Sequence, residues 1–308
     1  MRGARLTRVF MDTAVTVEVV QPDDGQPSAE ACGEAIGRAF MWFAEVESAC
    51  SRFDARSELR RLTLSPGRPV PVSPLLFQAV DFALTVAESS GGAFDPTVGG
   101  PMASRGFDRD YRTGDRHCPG VTADADASWR DVLTDPEART ITLTRPLLLD
   151  LGAVAKGLAA DLAMRELEGF PGSAVEAGGD VAVRGVNRQG QPWRIGIRHP
   201  RQPGALCAIL RLSDAAVCTS GDYERRSPTD GGSHLLDPRS GRPAQALASC
   251  SVVGPSAMLA DTLSTAAGIL GPAQAIPWLQ GHGVEALLVT PDLQRYTTAG
   301  FARLAQCR

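Results

Sequence analysis

Lysine is almost missing from this chain of 308 residues: of its 31 Lys and Arg residues only Lys156 is lysine, and the rest are arginine. Long apolar runs are missing as well. No window reaches 18 uncharged apolar residues, so no helical membrane span is expected. The opening stretch MRGARLTRVFMDTAVTV is positively charged but has no apolar segment of signal-peptide length, which predicts a cytoplasmic protein. The seven cysteines (Cys32, Cys50, Cys118, Cys207, Cys218, Cys250 and Cys307) contain no CxxC pair and are odd in number. They read as reduced thiols used as small apolar residues rather than as a disulfide framework or zinc site. The four histidines (His117, His199, His234 and His282) also lack metal-ligand spacing. A net charge of -4, with no basic stripe interleaved with aromatics, argues against general nucleic-acid binding. Neither GxxxxGK[ST] nor a GxGxxG between strand and helix is present, which excludes the P-loop and Rossmann nucleotide binders.

What is present suits a large globular core. Hydrophobic residues make up 43% and charged residues 21%, and the length allows one large domain or two. No internal repeat or clear linker divides the chain, so a single domain over 1–308 is expected. Alternation of Val15, Val17 and Val19 with polar neighbours predicts a strand over 6–20. Ile36, Phe40, Phe43 and Val46 predict a helix over 29–50, ended by Ser51-Arg52-Phe53-Asp54. Ser73-Pro74 opens a second helix, with Ser as N-cap and Pro in the first turn, which stops at Ser-Ser-Gly-Gly. Met102 to Gly120 is rich in Arg and Asp, lacks periodicity and reads as a long surface loop. A helix over 153–168 and a strand around Val175 follow, then short strands over 181–184, 193–198, 208–212 and 215–219. A helix over 255–270, another opened by Pro272, and a final hairpin (285–290 with 295–298) complete the order. Helices early and consecutive strands later predict an α+β fold with a mainly antiparallel sheet and flanking helices.

Four small-residue loops carry an Asp or the Lys: GGAFDPT (91–97), DLGAVAKG (150–157), AGGD (177–180) and TSGD (219–222). Each alone suits a tight turn. Together, one of them leading the only lysine into a helix, they also suit backbone N–H groups gathered around phosphate. In ADTLSTAAGILG (260–271), Asp261 and Thr265 stand at i and i+4 on one helical face. A carboxylate and a hydroxyl there suit Mg²⁺, which takes few protein ligands; an Asp favoured by the helix dipole, with Thr as filler, is the plainer alternative. His234, in SHLLDPRSGRP (233–243), is either an ordinary surface or core histidine or, beside a phosphate and metal site, a general base.

In this order the stretches resemble the ApbE family of FAD:protein FMN transferases. The matching segments are Met11-Asp12-Thr13, Ser51-Arg52-Phe53 with Ser57-Glu58-Leu59, and Gly92-Ala93-Phe94-Asp95-Pro96-Thr97. Further along come Asp150 to Gly157, Gly178-Gly179-Asp180, Thr219-Ser220-Gly221-Asp222, His234 to Pro238 with Gly241, and Ala260-Asp261 with Thr265. The resemblance implies an α+β fold, FAD as donor, Mg²⁺, and a Ser or Thr hydroxyl of a partner flavoprotein as FMN acceptor, with AMP released. It implies flavin or adenine contacts at Met11, Phe53, Ala93, Phe94, Asp95, Asp150, Lys156 and Leu235. It implies Mg²⁺ at the carbonyl of Ala153 and the side chains of Asp261 and Thr265, His234 as base, and Lys156 on the phosphates. The alternatives from the same residues are an FAD pyrophosphatase giving FMN and AMP, and a non-catalytic flavin-binding protein. Three positions depart from the family pattern: Asp12 stands where glycine is usual, Val15 where a polar or aromatic residue is frequent, and Phe53 where tyrosine is common.

Overall fold

The computed structural model describes residues 1–22, 28–109 and 120–305. The strands in chain order begin with β1 (Arg2–Phe10), β2 (Thr13–Gln21), β3 (Val70–Pro71), β4 (Val132–Asp135) and β5 (Thr140–Leu143). After them come β6 (Gly172–Ala177), β7 (Asp180–Gly185), β8 (Trp193–Arg198), β9 (Leu206–Leu212) and β10 (Ala215–Gly221). The last are β11 (Leu236–Asp237), β12 (Arg242–Pro243), β13 (Ser249–Gly254), β14 (Glu285–Val289) and β15 (Arg295–Thr297). The helices are α1 (Ala29–Cys50), α2 (Glu58–Thr63), α3 (Pro74–Ser89), α4 (Gly99–Ser104), α5 (Gly152–Arg165), α6 (Ala257–Leu270), α7 (Pro272–Gly281) and α8 (Phe301–Leu304). The fold is α+β. Its chain falls into two compact units, the first of residues 1–44, 156–221 and 246–308, the second of 45–155 and 222–245.

The first unit is built on an eight-stranded sheet in the order β1-β2-β6-β7-β10-β13-β14-β15. Its neighbouring strands pair antiparallel throughout. Strand alternation puts Val15, Val17 and Val19 on one face, all fully buried, and Val20 on the other. There Val20 joins a core with Val183, Val217, Val253 and Leu287 of the sheet and Trp193, Ile197, Leu210 and Leu212 of the β8–β9 hairpin. Burying side chains of this size contributes about 1.5–3 kcal/mol each. Helix α6 packs on β10 and β13, and α7 on β14. The predicted strand over 6–20 is a hairpin: Met11 and Asp12 form a two-residue turn at φ 50° and 58°, with Phe10 opposite Thr13. Both turn residues lie in the left-handed region, as a type I′ turn requires. The turn between β6 and β7 is likewise two residues long and meets the same demand with Gly178 and Gly179.

In the second unit the three-stranded sheet β3-β5-β4 packs with α2 and α3. Leu59, Leu62, Leu76, Val80, Ile141, Leu143, Leu147 and Leu149 are almost wholly buried. Ser73 caps α3 by accepting from the Leu76 N–H, as the Ser-Pro start predicts. The expected surface loop over 102–120 is corrected at its beginning. Residues 102–104 complete α4, and Arg105 and Asp108 are 8% and 7% exposed. The rest of that segment over 110–119, with His117 and Cys118, lies outside the described residues, as does Cys307. Cys32, Cys50, Cys207, Cys218 and Cys250 are in no disulfide. Among the described residues no helix is long and apolar enough to cross a membrane.

Candidate functional site

In the first unit the only lysine lies between two carboxylates. Lys156 Nζ is 2.7 Å from Asp261 Oδ2 and 3.4 Å from Asp180 Oδ2. Helix α5 supplies the lysine, α6 supplies Asp261, and the glycine turn before β7 delivers Asp180. The Asp180 side chain is steadied from β10, whose Thr219 N–H donates to Oδ1 at 3.1 Å. The three side chains are 24%, 6% and 10% exposed, so water screens the cluster little. Burial works against the Lys156 ammonium, but Asp261 and then Asp180 outweigh it and hold its pKa above the ordinary lysine value. Burial pushes the Asp261 carboxyl up, Lys156 pulls against that shift, and the like charge of Asp180 adds to it. One ammonium cannot neutralise two carboxylates, and Asp261 carries the shortfall.

Beside Asp261, the helical spacing sets Thr265 one turn further along α6. Its Oγ1 lies 3.0 Å from Ser220 Oγ of β10, which also meets Ser264 Oγ at 2.7 Å. Two carboxylates, offset in part by Lys156, and a line of hydroxyls form a set of hard oxygen donors in which carboxylate outnumbers ammonium. That fits Mg²⁺ better than a soft or nitrogen-seeking metal. Among the described residues no three His, Cys, Asp or Glu side chains gather as a metal-binding group, so the fit rests on this mixed oxygen set. Met11 also belongs to the first unit, at the tip of the β1–β2 hairpin and half-buried. Val15 is fully buried in β2, opposite Ala177.

The second unit holds the remaining predicted residues. Ser51 ends α1 with a turn in which its Oγ accepts from the N–H groups of Phe53 and Asp54, both at 3.2 Å. That turn presents Arg52, whose Nε meets Asp150 Oδ2 at 2.8 Å and whose guanidinium lies 4.2 Å from the Phe53 ring centroid. Asp150 Oδ1 accepts the Gly152 N–H at 2.9 Å, so the carboxylate also starts α5. Burial pushes Asp150 up, but Arg52, the Gly152 N–H and Arg225 together hold it below the usual carboxylate range. Ala153 follows in the first turn of α5, three residues before Lys156.

Ala93 and Phe94 are buried, as is Asp95, whose oxygens accept from the Thr97 N–H (2.8 Å), the Thr97 hydroxyl (2.7 Å) and the Trp129 N–H (3.1 Å). Asp95 therefore shapes the 91–97 loop from inside. Burial raises its pKa despite those bonds. His234 and Leu235 sit in a segment tied down by Arg105. The Arg105 Nη2 donates to Ser233 O at 3.0 Å, and the guanidinium grips Asp230 at 3.0 and 3.2 Å. The His234 N–H donates to Arg225 O at 3.1 Å, and the buried Leu235 N–H to Ser233 Oγ at 3.1 Å.

Thus Lys156, Asp261 and Thr265 lie in the first unit with Met11, while Phe53, Ala93, Phe94, Asp95, Asp150, Ala153, His234 and Leu235 lie in the second. The sequence marked Asp180 only as part of a glycine turn and missed its pairing with Lys156. Ser220 escaped notice as a partner of Thr265, although both fall in motifs that had already been singled out.

The chain matches the model of the ApbE family over residues 11–288. It is 32% identical over 308 aligned residues to a protein of Treponema pallidum (strain Nichols) named FAD:protein FMN transferase, with 89% of this chain and 82% of that protein covered. A protein of the same name from Vibrio cholerae serotype O1 is 31% identical over 273 residues, covering 83% of this chain and 80% of its own length. The crystal structure of the ApbE protein from Thermotoga maritima superposes with a TM-score of 0.86 at 27% identity, covering 99% of this chain and all of that one.

Proposed function

The chain belongs to the ApbE family, and on that premise we propose that it transfers FMN from FAD to a Ser or Thr hydroxyl of an acceptor flavoprotein, releasing AMP. The observation that carries this reading is the chain's single lysine, held in the first unit 2.7 Å from one buried carboxylate and 3.4 Å from another. Splitting a diphosphate requires neutralisation of charge that builds on both phosphates. A lysine kept charged by its neighbours, in a cluster that still has a net negative charge to offer a cation, is suited to that task.

Asp261, Thr265 and the carbonyl of Ala153 are the proposed Mg²⁺ holders, and the ion when bound supplies charge neutralisation and Lewis acidity at the phosphates. Met11, Phe53, Ala93, Phe94, Asp95, Asp150, Lys156 and Leu235 are the proposed contacts to flavin or adenine. In the reaction, the acceptor hydroxyl oxygen forms a bond to the FMN phosphorus. The bond from that phosphorus to the bridging oxygen breaks, and AMP leaves with that oxygen. His234 takes the hydroxyl proton as general base. The family-model match draws on residues of both units, which supports treating 1–308 as one ApbE-like domain.

Incubation with FAD and Mg²⁺, with and without candidate acceptor flavoproteins, tests the proposal. The expected result is AMP release only when an acceptor is present, with FMN added to that acceptor by mass. AMP release without acceptor would instead identify an FAD pyrophosphatase, and tight FAD binding without AMP a flavin carrier.

A further inference from the structure

Helix α5 grips the start of α6 at two points one turn apart. At the first, Gly157 leaves so little room that a Cβ there would come within 2.5 Å of the Met258 backbone and 2.6 Å of Ala257 C. At the second, Asp161 spreads its carboxylate over the same two residues. Its Oδ1 accepts the Ala257 N–H at 2.7 Å and its Oδ2 the Met258 N–H at 3.0 Å. Gly157 and Asp161 share one face of α5 at i and i+4. The cap of α6 is already supplied from its own chain, because Ser256 Oγ accepts the Leu259 N–H. Asp161 adds a charged, two-pronged hold on the two N–H groups that come before it, and the helix dipole favours a carboxylate there.

We propose that Asp161 is a positioning residue, which fixes the axial register of α6 against α5 so that Asp261 meets Lys156. Asp261 lies one turn beyond Ala257, the residue held by Asp161. A slip of a single residue along α6 is about 1.5 Å. Where that slip runs along the 2.7 Å contact of Lys156 with Asp261, it stretches the contact beyond hydrogen-bond range. Lys156 is not at liberty to follow α6, because Asp180, at the start of β7, stands 3.4 Å from its Nζ on a separate element. The α5 face carrying Gly157 and Asp161 thus sets a distance that neither Lys156 nor Asp261 sets alone. The role of Asp161 in FMN transfer rests on the function proposed above; its role in placing the two side chains does not.

Because Lys156 is the only lysine, ¹⁵N-lysine labelling of the full chain leaves a single Nζ signal to follow by NMR. That spectrum is recorded without FAD or metal, so its outcome is separable from the FMN-transfer reading. The expected result is that Asp161→Asn, which keeps the shape and removes the charge, shifts or broadens away the Lys156 signal. Asp161→Ala and Gly157→Ala should do the same. FMN transfer by Asp161→Asn should fall about tenfold to a hundredfold, in kcat rather than in KM for FAD. A purely structural cap would lower the melting temperature and leave the Nζ signal where it is. That result in Asp161→Asn overturns the proposal.

Discussion

In the first unit one ammonium is shared by two carboxylates, whereas in the second two guanidiniums act on one. Lys156 lies between Asp261 and Asp180 and leaves that cluster with a net negative charge. Asp150 is in contact with Arg52 and feels Arg225 as well, which leaves its surroundings with a net positive charge. The choice of cation follows the geometry. Lys156 carries a compact charge on a flexible stem and can address two carboxylates on two different elements. Arg52 uses its planar fork in three directions: Nε on Asp150, Nη2 on the carbonyl of Phe107, and the plane over Phe53. The first arrangement has carboxylate in excess, and the second has guanidinium in excess. Two clusters built from the same kinds of charge are therefore left with opposite balances.

The largest effect should come from removing the carboxylate that makes the first cluster negative. Asp261→Ala removes the carboxylate nearest Lys156 and leaves the cluster one carboxylate, Asp180, to set against one ammonium. AMP release from FAD in the presence of acceptor and Mg²⁺ should fall by about 10³-fold, the scale of several kcal/mol of lost transition-state stabilisation. Undiminished release would remove Asp261 from the metal assignment. Lys156→Ala breaks the same cluster from the other side, stranding two carboxylates among buried surroundings. It should cost about 3 kcal/mol of stability in urea unfolding and weaken FAD binding. Equal stability and affinity in the variant would mean that the lysine is a bystander.

The second cluster should give way less. Arg52→Ala leaves Asp150 with the Gly152 N–H and Arg225, so the expected loss is about 1–2 kcal/mol. Arg52→Lys keeps the charge but gives up the bond to Phe107 and the plane over Phe53. About half of that loss is expected to remain. If Arg52→Ala proved as damaging as Lys156→Ala, the contrast between a deficient and an over-supplied cluster would be wrong.

How visible these clusters were in the sequence depended on the distance over which each is assembled. Lys156 stood out by its rarity, and Asp261 with Thr265 by helical spacing; both signals lie within a few residues. Asp161 and Ser220 are ordinary residue types made important by partners 96 and 45 positions away, and no local pattern announces that. The same holds for the fold. Long amphipathic helices such as α1 and α3 declared themselves through their buried stripes. Strand β13 did not, because all six of its residues are buried and alternation disappears. The β1–β2 turn was hidden for a different reason: Met11 and Asp12 occupy left-handed backbone without a glycine to mark it.

The smallest predicted effect concerns the pH dependence of the second cluster. Asp150 is held below its ordinary value near 3.8, since Arg52, the Gly152 N–H and Arg225 together overcome the opposing push of burial. A carboxyl with a depressed folded-state pKa contributes stability that is fully present above the unfolded value and is lost as pH falls through the folded one. The stability difference between the wild-type chain and Asp150→Asn should therefore be constant above about pH 5, by the usual width of a titration, and shrink below pH 4. Arg52→Ala should flatten that acid limb, because it removes the largest stabilising partner of the ionised form. Chemical unfolding from pH 3 to pH 6 measures all three proteins. A difference that stays level through the acid range would show that Arg52 and Asp150 hold each other by shape, through the fork and the helix start, rather than by charge.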